Sequence, residues 1–186
     1  MDITLNKDNS IKIDFKKGKE KIEIILFSDS TLKIDEFKIS SPGEYEIKEV
    51  LVEKIIFFNK DKFTKEEKQL GLLNIQEMKI CFLPSKIKEL KPEEIERIGD
   101  VNLLIININE FDNKKELSQI ISQIEPQIII PFYQNREQLN EFLKAKGVNI
   151  EEVEFLNKFS LTSKNLTEEK TKIILLRIEN SLKIGH

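Results

Sequence analysis

The chain has 186 residues, 39% of them hydrophobic and 34% charged, enough to bury one sizeable core and too few to require a second domain. Its 30 Lys and Arg against 33 Asp and Glu leave a net charge of −3, which argues against a surface made chiefly to hold nucleic acid phosphate. The lone Cys81 excludes an internal disulfide, and the one histidine, His186, leaves almost no imidazole or thiolate for a transition metal. A single domain over residues 1–186 is expected. The most apolar runs, 103–106 and 128–131, are far shorter than a bilayer span, and no apolar leader follows Met1, so a soluble cytoplasmic protein without membrane contact is expected.

The first third alternates as strands do. Ile3 and Leu5, then Ile11, Ile13 and Phe15, then Ile22, Ile24 and Leu26 recur with period two between polar or Gly-bearing turns, which predicts an antiparallel meander. Residues 31–39 alternate more roughly, and Ser40-Ser41-Pro42-Gly43 punctuates the chain. Strand character resumes at 45–47 and 50–58. Residues 59–69 form a polar insert rich in Lys and Glu, and 70–75 with 78–83 predict a hairpin turning at Gln76-Glu77. The pattern then changes. Pro92 and Gly99 bracket a short helix over 92–98, and 101–106 reads as a buried strand. Leu117, Ile120, Ile121 and Ile124 place a helix over 114–124. A second buried strand over 128–130 is expected to stop at Pro131, a helix over 136–146 to stop at Gly147, and a last strand to cover 171–178.

Four segments in order carry a family resemblance: Ile39-Ser40-Ser41-Pro42-Gly43-Glu44-Tyr45-Glu46, Ile80-Cys81-Phe82-Leu83, Gly99-Asp100-Val101-Asn102-Leu103-Leu104-Ile105, and Glu125-Pro126-Gln127-Ile128-Ile129-Ile130-Pro131. Together they resemble the metallo-β-lactamase superfamily, and within it a small bacterial hydrolase-like branch. The resemblance implies an α/β fold, an αββα sandwich with a metal site at one edge. It also shows what is lost. The family's His-x-His-x-Asp-His signature would fall between the early strands and the Pro-Gly-Glu-Tyr turn, yet residues 28–36 contain no histidine, so the signature loop and its neighbouring helix read as deleted. By position, the bridging Asp falls on Ser85 and the late His on Tyr133. A hydroxyl and a phenol cannot replace a carboxylate and an imidazole on zinc at neutral pH. Ser85 and Tyr133 are therefore vestigial-site positions, with no catalytic, cofactor-binding or metal-ligating residue assigned and no cofactor expected.

Other chemistry has plainer explanations. The acidic clusters at Glu44 and Glu46, Glu66-Glu67, Glu93-Glu94 with Glu96, Glu151-Glu152 with Glu154, and Glu168-Glu169 read as solvated faces, and two Ser-x-x-Lys matches, Ser30 to Lys33 and Ser85 to Lys88, as coincidence in a Lys-rich chain. Cys81 sits in an apolar strand as a packing thiol, and Lys16 to Lys21 reads as a turn, not a phosphate grip. Tyr133 would plug the space left by a metal, or else hydrogen-bond a small anion or nucleotide in the old cleft. The expectation is a catalytically inactive member of the fold, kept as a binding or assembly module. Loss of a helix should uncover apolar sheet that a protein partner or a second copy covers. The alternative is a noncatalytic subunit or an atypical hydrolase with metal held by carboxylates such as Glu44 or Asp100.

Overall fold

The computed structural model describes residues 1–58, 67–84, 86–87, 89–111, 114–166 and 171–177, with only the backbone of 57, 58, 67, 68, 114 and 152. Ser85, the 59–66 portion of the polar insert and His186 lie outside the described residues.

Period-two alternation builds the first sheet. Strands β1 (Asp2–Leu5), β2 (Ile11–Lys17), β3 (Glu20–Leu26), β4 (Leu32–Ile34) and β5 (Phe37–Ile39) follow one another as an antiparallel meander. Ile3, Ile13, Ile22, Ile24 and Ile34 are fully buried on the inward phase. The second sheet comprises β6 (Gly43–Ile47), β7 (Val50–Phe58), β8 (Glu67–Ile75), β9 (Met78–Leu83), β10 (Leu103–Asn107), β11 (Ile128–Phe132) and β14 (Lys172–Ile173). Its order is β14-β11-β10-β9-β8-β7-β6, antiparallel from β6 to β9 and parallel from β9 onward. The hairpin tips Lys48-Glu49 and Gln76-Glu77 have positive φ at both residues, the conformation of the tight hairpin turn whose twist matches the strands.

The sheets pack face to face. Ile13, Ile24 and Leu26 from the first meet Val52, Ile80, Phe82, Ile105 and Ile130 from the second in one apolar layer. The opposite face of the second sheet carries Leu72, Cys81, Leu104 and Ile129, covered by α1 (Pro92–Ile98), α2 (Lys114–Ile124) and α3 (Arg136–Ala145). Helix starts and stops follow their local chemistry. Pro92 opens α1, whose Glu94 accepts from the Lys91 N–H at 2.7 Å, and Asn135 caps α3 by accepting from the Gln138 N–H at 2.9 Å. Gly147, at φ +70°, lies just beyond the end of α3.

Three expectations need correction. The first sheet has no helix on its outer face among the described residues, yet that face is not apolar. Its outward phase carries Lys12, Asp14, Lys21 and Glu23 in a lattice of ion pairs: Lys12 to Asp14 at 3.1 Å, Lys21 to Asp14 at 3.2 Å, Lys12 to Glu23 at 3.6 Å. Phe37 and Leu51 are the large hydrophobics exposed among the described residues, at 56% and 49%. Second, β11 runs through Pro131. Gln127 and Ile129 carbonyls accept from Lys172 and Ile174, so odd-numbered residues point their polar groups toward β14, and Pro131 falls one step past the last such bond, where no N–H is missed. Third, the last expected strand is two short ones. After β14, Ile174 breaks the run, and β15 (Leu175–Leu176) pairs with β12 (Phe155–Leu156). Another short strand, β13 (Phe159–Ser160), flanks β1 in the first sheet. No helix among the described residues is long and apolar enough to cross a membrane.

Candidate functional site

In parallel sheets, ligands gather outside the carboxyl ends of the strands, because loops there can converge without breaking the ladder. Here that edge follows β9, β10 and β11, and polar side chains of the chain itself fill it. Asn107 continues the inward phase of Leu103 and Ile105 and is 4% exposed. Its Nδ2 donates to the Pro84 carbonyl at 3.1 Å, and its Oδ1 accepts from the Asn109 N–H at 3.2 Å and from Asn109 Nδ2 at 2.8 Å. Asn109 Oδ1 in turn accepts from the Gln134 N–H at 2.9 Å. One chain of amides thus ties the ends of β9, β10 and β11 together.

A second polar group lies farther along the same layer. Lys54 follows Val50 and Val52 on the inward phase of β7 and is 5% exposed. Register places Lys54 opposite Gly71, Gly71 opposite Phe82, and Phe82 opposite Ile105, so the lysine stands one side-chain layer inside the edge that Asn107 closes. Its ammonium donates to the Ser30 carbonyl at 2.8 Å and the Ser40 carbonyl at 2.9 Å. Burial pushes Lys54 below the ordinary lysine range, with Asp29 acting in the opposite sense. Ser30 belongs to the tight turn after β3, with φ +71°, braced by Asp29 Oδ1 accepting from the Thr31 N–H at 2.9 Å. That turn lies in the stretch, residues 28–36, where the resemblance expected the lost histidine signature. A lysine ammonium and two carbonyls meet there.

Of the positions singled out from sequence, Tyr133 is half-buried just beyond β11. Alternation turns it away from Phe132 and the inter-sheet layer, its ring packs on the helix-side cluster, and its hydroxyl donates to the Leu176 carbonyl at 3.2 Å. Burial raises its phenol above the usual tyrosine range. Glu44 and Asp100 do not come together. Asp100 lies three residues before β10, and the strand alone puts roughly 13 Å, at ~3.3 Å per residue, between Leu103 and Asn107 at its far end. Glu44 is on β6, four strand spacings from β10, roughly 19 Å at ~4.8 Å each. Lys54, Asn107 and Asn109 were missed. For Lys54 the available signal was a polar residue on the inward beat of an alternating strand; for Asn107 it was an amide closing a wholly apolar run, with Asn109 two residues on.

Residues 9–133 match the family described as the beta-lactamase superfamily domain. The chain belongs to the metallo-β-lactamase superfamily. No curated protein matches it. A solved structure from Thermotoga maritima, titled a candidate zinc-dependent hydrolase of the metallo-β-lactamase superfamily, is similar in fold at 15% identity and TM-score 0.60, over 95% of this chain and 99% of that one. A candidate metal-dependent hydrolase from Parabacteroides distasonis matches at 12% identity and TM-score 0.42, over 74% of this chain and 96% of that one.

Zinc, which the superfamily and the first of these titles imply, can be tested against the donors present. Among the described residues no group of three or more His, Cys, Asp or Glu could hold a metal ion. Cys81 is fully buried on the helix side of the second sheet, and burial pushes its thiol well above the ordinary range, away from the thiolate a metal requires. Between the sheets at this edge stand amides and an ammonium, and the nearby carboxylates Asp29 and Glu110 belong to no group of three donors among the described residues. Gln69 Oε1, buried without a hydrogen-bond partner among the described residues, adds only one neutral amide oxygen. These residues do not fit zinc.

Proposed function

We propose that this chain is a non-hydrolytic member of the metallo-β-lactamase superfamily, retained as a binding or assembly module. One observation carries the reading: the Lys54 ammonium, buried between the sheets, holds the Ser30 and Ser40 carbonyls beside the stretch where the superfamily's signature loop would stand. A cation supplied by the chain itself draws the two loops together and repels a second cation, while the amide chain through Asn107 and Asn109 occupies the neighbouring strand ends. Zinc hydrolysis needs three protein donors and an open position for water, whereas the carboxylate beside Lys54, Asp29, holds the Thr31 N–H and joins no group of three donors among the described residues. With the interior committed to its own contacts, work on other molecules falls to the outer surface.

The test is hydrolysis of chromogenic phosphodiester, thioester and β-lactam substrates by the full chain, with added zinc or manganese. The expected rate equals the protein-free blank. A metal-dependent rate that scales with protein concentration overturns the reading.

A further inference from the structure

The last strand of the seven-stranded sheet, β6, is paired on one side only, so its outer N–H and C=O groups have no strand partner among the described residues. Register brings Glu44 opposite Glu53 and Glu46 opposite Leu51, which sets two exposed carboxylates, a half-exposed leucine and Glu53 on one face. That face belongs to the helix side of the sheet, where Arg97 of α1 pairs with Glu53. A depression of about 380 Å³ remains over Glu44, Glu46, Leu51 and Asn74. Glu44 and Glu46 have no ion pair among the described residues, so two unpaired carboxylates stand on the rim of the depression beside Leu51 and Asn74.

We propose that β6 accepts an extended partner segment of alternating basic and apolar residues, added to the sheet as its eighth strand. The main chain of such a segment fills the open ladder, as in other strand-addition complexes. Cations two residues apart match the Glu44 and Glu46 spacing, and the intervening apolar side chains, on the opposite face, extend the inter-sheet layer beside Tyr45 and Ile47. A second copy of this chain fits poorly. Every antiparallel self-pairing centred on Glu44, Tyr45 or Glu46 puts a carboxylate of one copy directly opposite a carboxylate of the other on the same face, an arrangement that destabilises a strand pair. This inference rests on the binding-module reading and names its partner chemistry.

The experiment uses the full chain and three labelled peptides of equal length, read by fluorescence anisotropy at physiological salt. One alternates lysine and valine, one carries the same residues in two blocks, and one alternates glutamate and valine. Saturable one-to-one binding of the alternating lysine peptide alone is expected. It should weaken about tenfold, ~1.4 kcal/mol, in the Glu44→Lys/Glu46→Lys double variant, and stay unchanged in Glu137→Lys on α3, far from this edge. Equal binding of the block peptide, equal binding by the double variant, or no saturable binding overturns the proposal. None of those results restores hydrolysis, and metal-dependent turnover would topple the proposed function without touching the peptide result.

Discussion

The two sheets share one apolar layer and differ in what lies on their other faces. On the seven-stranded sheet the second face is apolar across β8 to β11, and Leu117, Ile120, Leu139 and Phe142 of the helices bury it there. On the six-stranded sheet it is written in Lys12, Asp14, Lys21 and Glu23 and left to water. An αββα sandwich that loses one helical layer therefore need not expose grease, because period-two alternation can convert the bared face to charge one residue at a time. The consequence for function is direct. A cover for exposed sheet is not what a partner of this chain must provide, and the candidate surface moves to the sheet edge at β6.

Four substitutions sharpen that contrast, from the strongest to the weakest. Phe142→Ala, under the helical layer, should cost ~3–5 kcal/mol in denaturant unfolding, because a fully buried ring leaves a cavity. Asn107→Ala should cost ~1–3 kcal/mol, since the Pro84 carbonyl and the Asn109 amide lose their buried partner. Lys54→Met should change the pH dependence of stability. The folded state depresses the lysine, so the unfolded state binds more protons between the depressed value and the ordinary 10.5, and the native chain gains stability as pH rises through that window. The variant should lack this gain, which subtracting the two pH profiles isolates from other lysines. Asp14→Ala, on the charged face, should cost only ~0.2–1 kcal/mol and less at high salt. A cost for Asp14→Ala rivalling that of Phe142→Ala would erase the distinction between the two outer faces.

The alternation of Ile3, Ile13 and Ile24, the Pro92 and Gly99 punctuation, and the Gln76-Glu77 tip made the meander, α1 and the β8–β9 hairpin readable, since each rests on neighbours a few residues apart. Strand β13 was not readable. Two residues, Phe159 and Ser160, carry no period, and their place beside β1 is set by tertiary contact, including the Leu161 N–H to Met1 carbonyl bond at 2.8 Å. Pro131 misled for a related reason, because whether a strand tolerates proline depends on which side its missing N–H faces. At the site, the lack of histidines was visible as letters, whereas the side chains that meet there were not. Lys54 looks like one more lysine among many until the register puts it between the sheets beside Ser30 and Ser40.

The most direct test is elemental analysis of untagged chain purified without chelator, comparing the native protein with Lys54→Met. With an ammonium and amides at this edge, the proposed reading expects both to carry zinc, manganese and iron far below one equivalent. One tightly held equivalent in the native chain would contradict the replacement of the metal by the chain's own cation.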